Sequence, residues 1–428
     1  MLLDLILGGR TVAPAVRDAA EKALPRLSES DDRRPAVRMR VIEAFLAEGI
    51  AESDLWGSSG YGYDDPARER FESLLGRVLR AERVLARLSL VSGTHAIVAA
   101  LDALCPRGEQ LLCANGAPYD TLRYAIAEAP HSLVARGIAY AEVPRTPVGS
   151  TDLHGLANAL AERAPKVVFV QRSRGYAARR SLSIDDIAAI AGIVRARAPQ
   201  AVIFVDNCYG ELVEEREPLE AGADVIAGSL IKNLGGGIAP TGGYVAGRAD
   251  LLEAVAARGY APGIGAGLGP TLGFGRAFIQ GLFYAPLVVG ETLRGLDFAA
   301  SLFAQLGFRV DPLPGERRTD IVQAIRLGSP EALIAFARGL QQALPINARF
   351  APEPGPVPGY RDPVIMSSGA FINGSTIDLS CDAPLREPYD VYLQGGIVAE
   401  HAALGAIMAA QAVYAASGVS GNPSPMNP

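Results

Sequence analysis

The stretch "GSLIKNLGGGIAPTGGYVAG", Gly228 to Gly247, carries one charged side chain, Lys232, among seven glycines. It continues a strand-like run, "ADVIAGS", that ends at Ser229. A lysine is seldom buried without a partner. Desolvation lowers an amine's pKa and makes it a nucleophile able to form an imine with a carbonyl compound. Glycine lets backbone approach a bulky ligand closely, which a lysine that merely snorkels to the surface does not require.

Three other stretches bear on Lys232. "AVIFVDNCYGE" is an apolar strand ending in Asp206. Taken alone, Asp206 reads as a loop or N-cap acid; in an open α/β sheet, ligands also bind at the carboxyl ends of the strands. "LVSGTHAIVAAL" puts Ser92, Gly93 and Thr94 at a helix start with no acid in its first turn, a setting that suits a phosphate. In "GAPYDTL", Tyr119 follows the strand "QLLCA" and is either a half-buried core residue or an aromatic plate for a flat ring. Together these make a phosphate cradle, a plate, an acid for a ring nitrogen and an imine-forming lysine. That set matches pyridoxal 5'-phosphate (PLP).

Around these motifs strands alternate with helices. "KVVFVQ", "AVIFVD", "ADVIAGS" and "GGYVAG" are short β-rich runs, and "SIDDIAAIAGIVRAR" is a helix with Ser183 as N-cap and Asp186 completing a capping box. The alternation predicts an α/β fold built on a mostly parallel sheet. Boundaries fall as an N-terminal helical segment over residues 1–60, a large domain over 61–300, a small α+β domain over 301–420 and a disordered tail over 421–428. The small domain offers strand candidates at "VIMSSGAFI" and "STIDLSC".

At 428 residues with a net charge of −6 and no basic stripe, the chain is a poor nucleic-acid binder. The final apolar stretch from Gly396 is interrupted by Glu400 and His401, so it reads as a packed helix and not a membrane span. Four scattered cysteines and no signal peptide suggest reduced thiols and a cytoplasmic protein. Four dispersed histidines argue against zinc, and neither a P-loop nor a G-x-G-x-x-G fingerprint occurs where a nucleotide fold needs it.

The motifs "GYGYDDPAR", "SGTHAI", "PYDTL", "VQRSRGY", "VDNCYGE", "GSLIKNLGGGIAPTGGY", "RTDIVQAI" and "LREPYDVYLQGG" together resemble one family. It comprises the PLP-dependent aluminium-resistance or methionine γ-lyase-like proteins, a branch of the fold-type-I Cys/Met-metabolism enzymes. The resemblance implies an aspartate-aminotransferase-like fold assembled as a homodimer or homotetramer. It implies Lys232 as the imine lysine, Asp206 as the ring-nitrogen partner, and Tyr119 as stacking residue and proton donor. Ser92, Gly93, Thr94 and Ser229 would hold the phosphate, with Tyr61 or Tyr63 reaching the site of the neighbouring subunit.

Two features depart from the wider pattern. The Tyr-x-Arg pair is replaced by Tyr61-Gly62-Tyr63, and "STIDLSC" offers Asp378 where an arginine is usual. The substrate carboxylate then falls to Arg386, with Arg174 the second candidate. The implied activity is β- or γ-elimination from an amino acid, with cleavage of a carbon–sulfur bond as the leading expectation. The alternatives are γ-elimination or γ-replacement on a nonstandard, halogenated amino acid, and a non-catalytic PLP-binding stress protein.

Overall fold

The computed structural model describes residues 1–29 and 31–416; the expected disordered tail, 421–428, lies outside the described residues. The chain folds as two compact units. Arg33–Pro286 forms one, and Met1–Asp32 joins the chain from Leu287 onward in the other. The boundary falls at Pro286, inside the long helix Gly275–Gln305.

The larger unit is built on a sheet of seven strands among the described residues: β1 (Arg83–Arg87), β2 (Gln110–Cys113), β3 (Ala139–Glu142), β4 (Val167–Gln171), β5 (Val202–Asp206), β6 (Val225–Ser229) and β7 (Gly243–Gly247). Their spatial order is β1-β7-β6-β5-β4-β2-β3. The strands from β2 to β6 run parallel, whereas β7 is antiparallel to both β6 and β1. All five residues of β4, β5 and β6 are buried, which is why these strands read as unbroken apolar runs without alternation. In register, Gln171 pairs with Asp206 and Asp206 with Ala227, so the carboxyl ends of β4, β5 and β6 meet on one edge.

One face of this sheet packs Phe169, Phe204, Val225 and Val245 against Ala96, Ile97, Ala100 and Leu101 of the helix Gly93–Leu104. The Phe169 and Phe204 rings stack with centroids 5.8 Å apart. Burial of each such ring stabilises the fold by roughly 3 kcal/mol. This packing fixes the start of the Gly93 helix close to the strand ends. Ser183 caps the helix Ile184–Arg197 in the expected capping box with Asp186.

The smaller unit carries β8 (Arg309–Asp311), β9 (Val322–Arg326), β10 (Val364–Ser368), β11 (Ser380–Pro384) and β12 (Asp390–Gln394), in the order β10-β11-β12-β9-β8 and antiparallel throughout. The "STIDLSC" stretch is not itself a strand. Extended pairing begins only at Ser380, and Asp378 lies in the approach to β11. The helix Pro330–Gln341 and the C-terminal helix from Ala399 to Ala416 cover the sheet's unit, the latter burying alanines along most of its length. Among the described residues no helix is long and apolar enough to cross a membrane.

Candidate active site

Lys232 leaves the end of β6 on a short turn and is half-buried. Its Nζ stands 3.8 Å from the centroid of the Tyr209 ring. Burial draws the amine's pKa down, but Cys208, Tyr209, Tyr119 and Asp206 crowd it with electronegative atoms and the balance lies well above the ordinary lysine value. The sequence argued for a lowered amine on the assumption of an apolar pocket. The pocket is polar, and that reverses the sign.

Asp206, 3 % exposed, closes β5. Its Oδ1 accepts from the Cys208 amide at 3.1 Å, a bond within its own loop. Burial raises its pKa, with Lys232 and the Cys208 amide pulling the other way. A buried carboxylate whose hydrogen bonds come only from its own loop is suited to a cationic partner brought from outside, such as a protonated ring nitrogen.

Tyr119 sits at the start of the short helix Asp120–Arg123. Its amide donates to Gln171 Oε1 at 2.8 Å, and its hydroxyl shares a 2.9 Å hydrogen bond with Thr94 Oγ1. Burial, with Asp206 and Cys208 adding to it, pushes the phenol far above its usual range. Tyr119 is therefore neutral and can give a proton but does not act as a phenolate base.

Ser92 caps the twelve-residue helix Gly93–Leu104 by accepting from the His95 amide, and no acid occupies the first turn. Gly93 lies so close to β6 that a Cβ there would stand 3.1 Å from both Ser229 Cβ and Ser229 N. The helix start, with its unpaired N–H groups, thus abuts Ser229. These residues fit PLP: an amine, a buried acid, an aromatic neighbour and a helix N-terminus lie at one edge of one sheet.

Tyr61 and Tyr63 are placed differently. They are 75 % and 64 % exposed, on a loop pinned by Asp65. Asp65 caps the helix Pro66–Leu79 and accepts from Ser58 N, Ser58 Oγ and Thr271 N at 2.6–2.8 Å. Arg68 reinforces the loop by donating to the Gly62 and Gly269 carbonyls. Gly62 (φ +64°) passes so near Pro270 that a Cβ would come within 2.3 Å of its nitrogen.

Arg174 is buried, its amide donating to Ser181 Oγ. Arg386 belongs to the smaller unit and lies 3.8 Å from Asp362 Oδ2.

Several residues of this neighbourhood escaped the sequence reading. Arg179 is buried and donates to the carbonyls of Asn115, Ser173 and Arg174, while Arg145 donates to those of Asn115 and Ala117. Burial and the Arg145 charge bring Arg179 down to about 9, still cationic at neutral pH. Gln171 joins the loops after β2 and β4, taking the Tyr119 amide on its oxygen and donating to Ser173 O. Tyr209 has no signal in the sequence beyond its place in "VDNCYGE".

The profile of the family described as methionine gamma-lyase matches residues 12–414. The chain belongs to that family. Among solved structures, a candidate cystathionine beta-lyase involved in aluminum resistance from Clostridium acetobutylicum is 39 % identical, with a TM-score of 0.90 over 95 % of this chain and 97 % of its own. A carbon-sulfur lyase involved in aluminum resistance from Clostridium novyi NT is 40 % identical, with a TM-score of 0.89 over 95 % and 98 %. The L-methionine gamma-lyase of Pseudomonas putida is 28 % identical over 50 % of this chain and 49 % of its own. The expected fold-type-I architecture, with a mostly parallel sheet and a smaller unit, is thereby established.

Proposed function

We propose that this chain is a PLP-dependent lyase that cleaves a carbon–sulfur bond of an amino acid by β- or γ-elimination. The observation that carries the reading is the meeting of Lys232, Asp206 and Tyr119 at the carboxyl ends of adjoining strands, next to the Gly93 helix start. Bound PLP supplies an electron sink for negative charge developing at the substrate Cα. Lys232 would hold the cofactor and would move the proton at the substrate Cα. Asp206 keeps the ring nitrogen protonated. Neutral Tyr119 would serve as the aromatic neighbour of the cofactor and would donate a proton toward the departing sulfur. The Gly93 and Thr94 amides and the Ser92 and Ser229 hydroxyls receive the phosphate.

The substrate carboxylate falls to Arg386 or Arg174, and the positive charge of Arg145 and Arg179 next to Arg174 supports an anion on that side. We further propose a homodimer or homotetramer in which Tyr61 or Tyr63 of one copy reaches the phosphate of the next. The exposure of both rings supports this. The halide-eliminating and non-catalytic readings find no support in the relatives named above.

The test is the visible absorption of the purified protein loaded with PLP, followed by a keto-acid assay with cystathionine, homocysteine and methionine. Cofactor absorption that is lost in Lys232→Ala, with keto acid formed from a sulfur amino acid, is the expected result. Failure to bind PLP defeats the cofactor reading. Binding without turnover of any of the three defeats the carbon–sulfur reading.

A further inference from the structure

One buried carboxyl beside Lys232 has no part in the reaction above. Glu211 lies in the loop that follows β5 and is fully excluded from solvent. Tyr244 of β7, equally buried, donates its hydroxyl to Glu211 Oε1 at 2.9 Å. Gly228 of β6 makes room for the pair: a Cβ there would stand 2.8 Å from Glu211 Oε1 and 2.9 Å from the Tyr244 oxygen. The charged and titratable neighbours are Lys232, Cys208, Tyr244 and Glu217, the last lying 3.7 Å from Arg172 Nη1. No arginine or lysine bonds to Glu211 among the described residues, so its charge would have no direct counter-ion.

Two atoms here lack hydrogen-bond partners, Glu211 Oε2 and Asn233 Oδ1. Asn233 is the residue after Lys232, and its Nδ2 donates to the main-chain oxygens of Glu211 (2.9 Å) and Tyr209 (3.1 Å). The Asn233 side chain therefore ties the turn after Lys232 to the main chain at Glu211 and Tyr209. Both orphans are acceptors as long as Glu211 is ionised, and a buried acceptor without a donor is costly. A proton on Glu211 Oε2 removes the buried charge that has no counter-ion and turns that orphan from an acceptor into a donor. Burial acts in the same direction, pushing Glu211 up to about 8 against the pull of its own amide and Tyr244.

We propose that Glu211 is a neutral carboxylic acid at neutral pH, and that its uncharged burial steadies the loop whose main-chain oxygens hold Asn233 and, through it, the turn that carries Lys232. Glu211 is thus a positioning residue. Its protonation is independent of the functional reading above, but its consequence for catalysis rests on that reading. Neutral Glu211 also leaves Asp206 as the carboxylate that sets the field at the amine.

The test compares the wild-type chain with Glu211→Gln, whose amide reproduces the neutral acid in shape and carries no charge at any pH. Infrared spectroscopy near neutral pH should give the carbonyl stretch of a protonated carboxyl that is absent from the variant. Its absence from the wild type overturns the proposal.

Denaturant unfolding supplies a second readout. A group raised from 4.5 to about 8 keeps its proton in the folded chain while the unfolded chain releases it. The wild type therefore loses stability as pH rises across that window and levels off above it. The ratio of unfolding constants, wild type over Glu211→Gln, should grow about tenfold per pH unit between those values. A flat ratio overturns the proposal.

Should Glu211→Gln not fold, Tyr244→Phe removes the donor to Oε1, and the protonated-carboxyl stretch should persist to higher pH. Its loss in that variant would count against a neutral acid. With PLP bound, Glu211→Gln should keep the cofactor's visible absorption and flatten any limb near pH 8 in the activity profile. An unchanged limb removes the positioning role. If even the wild type fails to bind PLP, the reading of Lys232 falls, while the infrared result still decides the state of Glu211.

Discussion

Lys232 Nζ faces the Tyr209 ring at 3.8 Å, and Tyr209 presents that ring from left-handed backbone at φ 70°. A non-glycine residue held there costs on the order of 1–3 kcal/mol, so the surrounding loop must enforce it. A desolvated cation–π contact returns about 2 kcal/mol to the charged amine.

Tyr209→Leu should therefore destabilise the ammonium and shift Lys232 downward. The pH dependence of PLP capture by the cofactor-free chain reads this directly. A midpoint that does not move would show that the ring contributes nothing to the lysine's charge.

Tyr119→Phe removes the hydroxyl shared with Thr94 and keeps the ring. PLP binding should survive, while keto-acid formation should fall by about 100-fold or more, the usual worth of a positioned proton donor. Equal losses in binding and turnover would assign the hydroxyl to cofactor retention alone.

Asp65 is pulled down to about 2; burial opposes this, and the bonds from Ser58, Arg68 and Thr271 win. Its contribution is present above its unfolded value near 3.8 and is lost as pH falls through about 2. Asp65→Ala should cost on the order of 2–4 kcal/mol, the sum of a lost N-cap and stranded donors. Limited proteolysis should then cut between Ser58 and Asp65, where the wild type resists.

Phe204→Ala empties half of the stacked pair in the sheet core. A loss of about 3–5 kcal/mol in denaturant unfolding is expected. The strand end that holds Asp206 is two residues away, so PLP affinity should weaken as well, measured on the fraction that remains folded.

Strands such as "VIFVD" and "VVFVQ" are legible because burial on both faces leaves no polar position in them. β1, "RVLAR", is not, because Arg87 enters the interior by pairing with Glu72 at 2.6 Å, fifteen residues earlier, and by donating to the carbonyls of Ala266 and Leu268. β11 is legible only in part for a related reason: "STIDLSC" reaches the strand at Ser380, but its first half approaches the sheet without pairing. At the site, the candidates legible in the sequence are those whose chemistry is local to a strand end or a helix start. Arg145, Arg179 and Gln171 bind carbonyls and amides from other loops, and no spacing in one sequence encodes such bonds. The sign of the Lys232 shift is illegible for the same reason, since it depends on Cys208, Tyr209 and Asp206 from one loop and Tyr119 from another converging on the amine.

Asp65 joins Ser58 to Thr271 and caps a helix with the same carboxylate, so the two exposed tyrosines ride on a stalk anchored at both ends. A surface meeting Tyr61 and Tyr63 would not have to order the loop that carries them. Their conformational entropy is given up when the chain folds and not when it meets another surface, which makes any association through these rings quicker to form and less sensitive to temperature than one through a slack loop.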